Sequence, residues 1–152
     1  MNKFLLIAAL AGAAYLAFPG PGTPGGPERS SHADAPLQAA GGSDAVLENA
    51  FAQRLHGQQV TGRGTVAKVL RDDVDGSRHQ RFIVRLDSGR TVLVAHNIDL
   101  APRVDALRVG EPVAFHGEYE WNPKGGVIHW THRDPRGRHP AGWIRHDGQT
   151  YQ

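Results

Sequence analysis

The sequence predicts a mainly β domain: a small five-stranded barrel with one helix before it and a C-terminal extension that packs back on it. Three observations carry this prediction. Five segments between residues 60 and 132 alternate apolar and polar side chains, turn residues separate them, and one earlier segment has helical periodicity. The chain has 152 residues, which is within the length of a single domain.

The first 18 residues predict export. Lys3 is followed by an uncharged stretch, FLLIAALAGAAYLAF, from Phe4 to Phe18. At about 1.5 Å per residue this stretch spans roughly 22 Å as a helix, which is short of a hydrocarbon core of roughly 30 Å. That length favours a signal peptide, and therefore a periplasmic or secreted protein. The alternative is an uncleaved anchor in the inner membrane, which would be the protein's only membrane contact.

Residues 19–43 predict a disordered linker because Pro, Gly, Ser and Ala dominate them and offer little to bury. Residues 44–152 are then the folded domain. The chain has no cysteine, which excludes disulfides and lipid attachment through cysteine. A net charge of +2 gives no general electrostatic signature for nucleic acid, so any basic patch has to be local.

Asp44–Leu55 is the predicted helix. Ser43 or Asp44 is its expected N-cap, and Gly57 is the expected stop. Its apolar face repeats at helical spacing and consists of Val46, Leu47, Ala50, Phe51 and Leu55.

The five predicted strands follow in order along the chain. Gly62 and Gly64 in the first strand indicate a bend or a close approach by another group. The connection Asn97–Arg108 interrupts the alternation and predicts a short helix or helical turn. The strands are Val60–Leu70, Gln80–Leu86, Arg90–His96, Val113–Trp121 and Val127–His132.

Five strands with a connecting segment between the third and fourth resemble an OB-fold barrel. The stretch LRVGEPVAFHGEY (107–119) is similar to the entry into a barrel strand in OB-like domains. This resemblance implies a binding face and no particular function. Another small β-barrel or a rolled antiparallel sheet is the alternative. Trp143, Ile144 and Tyr151 need cover, so the tail is expected to fold back onto the barrel.

Two longer motifs resemble an uncharacterised family of small exported bacterial proteins, known as a domain of unknown function. They are HNIDLAPR (96–103) and GEYEWNPKGGVIHWTHRDP (117–135), with GWI after them. The resemblance covers residues 44–152 and implies the domain boundaries and export. It implies no activity, so it assigns a role to no residue.

The C-terminal third is rich in histidine and suggests a metal site. A five-residue loop, Asn122–Gly126, would place Trp121 opposite Val127 and His116 opposite His132. A divalent metal such as zinc would then be bound by His116, Glu118 and His132. The fourth ligand would be His139 or, alternatively, Asp134.

This metal site depends on strand register, because a shift of one residue separates the ligands. The alternative is that these histidines are structural. In the assumed register His129 shares a face with Phe115, which favours a hydrogen-bonded core histidine.

Two further clusters are candidate ligand-binding residues. His96, Asn97, Asp99 and Arg103 follow a strand end, where His96 and Asp99 would form an acid–base pair and Arg103 would hold an anion. The alternative is that Asn97 and Asp99 make local turn hydrogen bonds. The second cluster interleaves arginine with tryptophan, which is typical of single-stranded nucleic acid or glycan binding and also of a solvated loop. Its members are Trp130, Arg133, Arg136, Arg138, Trp143 and Arg145.

Two functions follow from these patterns. The first is a non-catalytic binding module for an anionic or oligomeric ligand, namely an envelope glycan, a peptide or nucleic acid. The alternative is a metal-dependent hydrolase, a nuclease or phosphodiesterase, with His96 or Asp99 as general base. A structural or assembly role is the third possibility. The binding module is favoured because the sequence has no GxSxG, Walker A or HExxH motif.

Overall fold

The computed structural model describes residues 40–152, with side chains from Asp44 onward. The predicted export segment and residues 19–39 of the predicted linker lie outside the described residues. The described part forms one helix and seven strands: α1 (Ala40–Ala52), β1 (Gln58–Val69), β2 (His79–Arg85), β3 (Thr91–Asn97), β4 (Pro112–Glu120), β5 (Val127–His129), β6 (Trp143–His146) and β7 (Gln149–Tyr151). Within residues 40–152, no helix combines the length and apolar character needed to cross a membrane.

Five strands close into a barrel in the order β1-β2-β3-β5-β4, and β4 pairs back to β1. The β3–β5 pairing is parallel and the others in the ring are antiparallel. β1 serves two neighbours: residues 58–65 pair with β4, and residues 65–69 pair with β2 through an irregularity between Val66 and Lys68. Such a bulge bends the strand, which closure requires. The predicted five-stranded, OB-like barrel is confirmed.

Alternate residues of each strand face the interior and form one core. The largest fully buried apolar side chains include Phe82, Phe115, Tyr119, Ile128 and Ile144. Gly62 lies in this core, because a Cβ there would overlap the ring of Phe115 and crowd Leu47 of α1. The predicted close approach at the first-strand glycines is therefore correct.

Helix α1 covers the barrel end at the β2–β3 turn, with bounds that differ from the prediction. Asp44 does not cap it, since the Asp44 carboxylate accepts a hydrogen bond from Ser88 N at 2.8 Å, and the helix begins earlier, at Ala40. At the other end Leu55 N donates to Ala50 O at 2.9 Å, and Arg54 takes a left-handed φ of 52°. This is a Schellman stop at Arg54, three residues before the predicted Gly57.

One residue of the predicted apolar helix face is misplaced. Leu47 and Ala50 are buried in the core, but Val46 is 45% exposed. Val46 instead lines a surface depression together with residues of β1.

The β3–β4 connection covers the opposite barrel end. It consists of turns, and one helical turn is closed by Ala101 N donating to Asn97 O at 3.1 Å. Gln80, buried at the start of β2, donates to Val104 O and accepts from Val104 N, both at 2.9 Å. These two bonds fix the connection across the barrel end.

The β4–β5 hairpin register is one residue away from the prediction. Glu120 pairs with Val127, and Glu118 pairs with His129. The loop sets this register, because Asn122 Oδ1 accepts hydrogen bonds from Lys124 N and Gly126 N at 2.9 and 3.2 Å. The predicted pairing of Trp121 with Val127 is therefore wrong.

The shifted register exchanges the faces of β5. Ile128 enters the core, whereas His129 lies on the outer face beside Glu118. The interpretation of His129 as a core histidine on the Phe115 face is wrong for this reason. β5 also ends three residues earlier than predicted, because Trp130 has a left-handed φ of 55°.

The C-terminal extension forms a hairpin that enlarges the sheet. β6 pairs with Ala114–His116 of β4, and β7 pairs with β6. β5 pairs with the same edge of β4 nearer its C-terminal end, at residues 118–120. Ile144 is fully buried against the barrel. The expectation that the tail packs back on the barrel is confirmed.

Candidate functional site

The four predicted metal ligands fall into two places. His116 lies on the outer face of β4, where it shares a 2.8 Å hydrogen bond with Thr61 and stacks on Trp143 at 6.0 Å. His132 and His139 lie beyond β5, with ring centroids 5.0 Å apart. Because the register is shifted, His116 and His132 are not opposite each other, and the three-ligand arrangement predicted around them does not form.

A different trio comes together on the outer face of β4 and β5. Donor atoms of Glu118, Glu120 and His129 all lie within 4.8 Å of one another. Glu118 was among the predicted metal ligands, whereas Glu120 and His129 were not. The only signal for them was the register, which depends on hydrogen bonds within the loop.

His96 has a structural position. Its side chain is fully buried, its Nε2–H donates to Pro102 O at 3.1 Å, and Thr131 donates to Nδ1 at 2.8 Å. Burial lowers the pKa of His96, so the ring is neutral at pH 7. A ring held in this way has no free position for acid–base chemistry with solvent or substrate.

Asp99 and Asn97 make the turn contacts that were the alternative interpretation. Asn97 Oδ1 accepts from Asp99 N at 2.9 Å. The Asp99 carboxylate accepts from the backbone N and the Nε of Arg78, each at 2.7 Å. These hydrogen bonds lower the pKa of Asp99. His96 and Asp99 therefore have separate partners and form no acid–base pair.

Arg103 is also engaged within the domain. Its Nε and Nη2 donate to the carboxylate of Asp72 at 3.1 and 3.2 Å, and Nη1 donates to Asp105 at 3.1 Å. This fork joins the β1–β2 and β3–β4 connections. An anion would have to displace two carboxylates to reach the Arg103 guanidinium.

The two tryptophans of the arginine- and tryptophan-rich region have different ring partners. Trp130 packs against His139, with ring centroids 3.9 Å apart, near the exposed loop that carries Arg133 and Arg136. Trp143 lies on β6, where its ring stacks with that of His116.

Trp143 lines a groove of about 1110 Å³ on the outer faces of β1, β4 and β6. Cross-strand pairing places Thr61, His116 and Trp143 in one row, and Arg63, Ala114 and Arg145 in the next. Ala114 is small and leaves space between the two arginines. The rim also includes Val46, Asp87 and Asp147.

The groove carries free positive charge beside an aromatic ring. The Arg145 guanidinium stacks over Trp143, with Cζ 4.2 Å from the ring centroid. Among the residues that the structure describes, neither Arg63 nor Arg145 forms a salt bridge or donates a side-chain hydrogen bond. Trp143 and Arg145 were both in the predicted arginine- and tryptophan-rich cluster, whereas Arg63 was not predicted. Arg145 had a signal, because residues two apart on a strand share a face.

Fold and surface together define a small OB-like barrel domain with an added C-terminal hairpin and an open lateral groove. The chain belongs to the family described as Protein of unknown function (DUF3465), whose model matches residues 29–152. No curated protein matches the sequence. The family match confirms the predicted resemblance to a domain of unknown function and assigns no activity.

Proposed function

We propose that the domain is a non-catalytic binding module whose groove holds an anionic oligomer. One observation carries the proposal: Arg63 and Arg145 lie on either side of Ala114 in the groove, with no carboxylate partner in the described part of the chain. Guanidinium groups bind phosphate, sulfate and carboxylate groups through paired N–H donors.

The aromatic part of the groove is held in place before any ligand binds. Thr61 fixes the His116 ring by a hydrogen bond, and the His116 ring stacks with that of Trp143. The Arg145 guanidinium lies over the Trp143 ring. Side chains that are already ordered lose less conformational entropy on binding. This arrangement supports a binding role for Arg145, whose guanidinium lies on the Trp143 ring.

The guanidinium groups of Arg63 and Arg145, on either side of β4, favour a ligand that carries anionic groups at intervals along its chain. Acidic glycans and single-stranded nucleic acid are ligands of this kind. Asp87 and Asp147 at the rim would disfavour anions outside the central row. A peptide without acidic groups would leave both guanidinium groups unpaired.

Binding is tested by fluorescence anisotropy with two labelled probes, a sulfated oligosaccharide and an oligothymidylate, at 50 and 200 mM NaCl. We expect one probe to bind and to weaken at the higher salt concentration. Arg63→Ala or Arg145→Ala should weaken binding about tenfold each, equal to about 1.4 kcal/mol. Arg133→Ala and Arg136→Ala remove the same charge from the exposed loop and serve as controls. Equal losses in the controls would contradict a groove site.

The alternative function, a metal-dependent hydrolase, has less support. Its expected general bases are occupied, since His96 is buried and bonded on both nitrogens and Asp99 is paired with Arg78. Its expected ligands His116 and His132 do not face each other across the hairpin. The groove arginines have no such competing partner in residues 44–152.

A location outside the cytoplasm, periplasmic or secreted, is part of the proposal. It is supported by the uncharged stretch Phe4–Phe18 after Lys3 and by the Pro- and Gly-rich residues that follow. Fusion of residues 1–43 to alkaline phosphatase, which is active only after export, tests it. An inactive but intact fusion would contradict it.

A further inference from the structure

We propose that Glu118, Glu120 and His129 form a binding site for a divalent transition-metal cation such as Zn²⁺. The site lies on the outer face of the β4–β5 hairpin, next to the groove but separate from its arginines. It is independent of the proposed binding function, and either can fail without the other.

The backbone places the three donors on one surface. Glu118 and Glu120 are two apart on β4 and both point outward. His129 lies directly opposite Glu118 in the antiparallel pair. Opposite residues in such a pair have Cβ atoms about 5 Å apart, so the side chains converge through rotamer changes alone. One donor atom from each side chain already lies within 4.8 Å of the other two.

The imidazole of His129 has a nitrogen available to bind a cation, since a neutral imidazole binds metals through a ring nitrogen. Its Nε2 is shielded from solvent and has no hydrogen-bond partner in the described residues. The nearest carboxylate oxygen, Glu118 Oε1, is 3.5 Å away, which is too far for a good hydrogen bond. A cation between the two atoms would satisfy both.

The Glu118 carboxylate has less compensation from the protein than that of Glu120. Glu118 accepts one long hydrogen bond, from Gln59 Nε2 at 3.3 Å. Glu120 accepts from His56 Nδ1 at 2.6 Å and from Gly57 N at 2.9 Å. The Glu118 and His129 side chains are only 23% and 32% exposed, so water screens this charge incompletely.

His56 offers a fourth donor for the same ion. Its ring lies against Glu120 and is 60% exposed, so it can turn without disturbing the core. Two carboxylates with one or two imidazoles form a mixed oxygen and nitrogen set, which suits Zn²⁺ and similar ions better than Mg²⁺.

The His132–His139 pair is the competing location on this surface. Each ring donates its Nδ1–H to a backbone carbonyl, of Arg133 and Pro140 respectively, at 2.7 Å. That pattern is common among metal ligands and leaves Nε2 free. Within residues 44–152, however, the trio is the group whose three donor atoms all converge within 4.8 Å. The experiment must therefore separate these two places.

Zinc binding is measured on the untagged full-length protein by elemental analysis after dialysis and by isothermal titration calorimetry with Zn²⁺ and Mg²⁺. We expect one Zn²⁺ per chain and no comparable binding of Mg²⁺. His129→Ala and Glu118→Gln should each weaken Zn²⁺ binding by about 10- to 100-fold or more, at least as much as the loss of an outer partner costs a metal site. His139→Ala should leave it unchanged.

Glu118→Gln keeps the shape of the side chain, so it tests whether zinc binds at this site even if His129→Ala does not fold. Zinc binding that persists in Glu118→Gln would overturn the proposal, and so would binding that disappears in His139→Ala. No stoichiometric zinc in the parent protein would overturn it as well. Loss of zinc with intact binding of the anionic probe would show that the two sites are separate.

Discussion

Thr131 donates a hydrogen bond to Nδ1 of His96 at 2.8 Å inside the barrel. His96 is the penultimate residue of β3, Thr131 follows β5, and the other ring nitrogen of His96 donates to Pro102 O in the β3–β4 connection. One buried imidazole thus joins β3 and the connection after it to the segment that follows β5, 35 residues further along the chain. The resulting contacts hold the barrel end opposite α1.

Thr131→Val should lower the free energy of unfolding by about 1–3 kcal/mol, because the isosteric change leaves Nδ1 of His96 buried without a donor. The measurement is urea denaturation at pH 7.5, followed by circular dichroism. Thr65→Val, at an exposed position of β1, is the matched control and should change stability by less than about 0.5 kcal/mol. An equal effect of the two changes would count against a structural role for this hydrogen bond.

Stability should fall as pH is lowered from 7.5 to 5.5. Burial lowers the pKa values of His96 and His132 in the folded protein. Below the ordinary histidine pKa of about 6.5, the unfolded chain therefore binds protons that the folded chain does not, which favours unfolding. Urea denaturation across this range measures the effect. In His96→Gln the loss between pH 7.5 and 5.5 should be smaller than in the parent. An unchanged loss would mean that His96 does not contribute.

Gly62→Ala should destabilise the domain by about 1–3 kcal/mol. An added Cβ would overlap the Phe115 ring and approach Cδ1 of Leu47, so the helix or the barrel wall must move. Thermal denaturation measures the change. Thr61→Ala, on the outer side of the same strand, removes atoms without overlap and serves as a comparison. A neutral Gly62→Ala would show that α1 does not pack on β1 as described.

Glu48→Ala should lower stability by about 1 kcal/mol and loosen α1. Glu48 accepts hydrogen bonds from Arg90 Nε and Nη2 at 2.8 and 2.6 Å, and Arg90 also lies 4.0 Å over the Phe51 ring. Asn49→Ala, on the exposed side of the helix, is the control. Hydrogen exchange at the α1 amides measures the effect, and equal protection in the two variants would argue against this docking contact.

The Asp134 carboxyl should titrate at about 2. The Asp134 carboxylate accepts hydrogen bonds from the backbone N of Arg136, the backbone N of Arg138 and the Nε of Arg138. These hydrogen bonds lower the pKa of Asp134. The loop that these bonds hold should therefore stay ordered down to low pH and loosen only as Asp134 is protonated. Carboxyl ¹³C chemical shifts during acid titration report the midpoint. A midpoint near 3.8, its ordinary value, would mean that the loop does not close around Asp134.

Strand periodicity was enough to predict the barrel, because a period of two is visible within each segment. It did not fix how strands meet. Val127 and Ile128 are both apolar, so either can face the core when only the pattern of β5 is considered. The choice is made by Asn122, whose side chain closes the hairpin loop on Lys124 N and Gly126 N.

The candidate site was harder to predict than the fold, for a physical reason. Arg63 and Arg145 meet across β4 although 82 positions separate them in the sequence, and only the strand pairing reveals their proximity. Trp143 was easier to predict, because its residue type and its sequence neighbours were enough to mark it as a candidate. Arg103 also looked free in the sequence, whereas its partner Asp72 lies in another loop.

The location of the bound ligand decides whether the groove is the binding site. A ¹⁵N–¹H correlation spectrum of the protein should be recorded during titration with whichever anionic probe binds. The groove predicts that the largest shifts occur at Thr61, Arg63, Ala114 and Arg145 and in the indole N–H of Trp143. Shifts concentrated instead on the outer face of β2 and β3, at Ile83 and Leu93, would contradict the groove as the binding site.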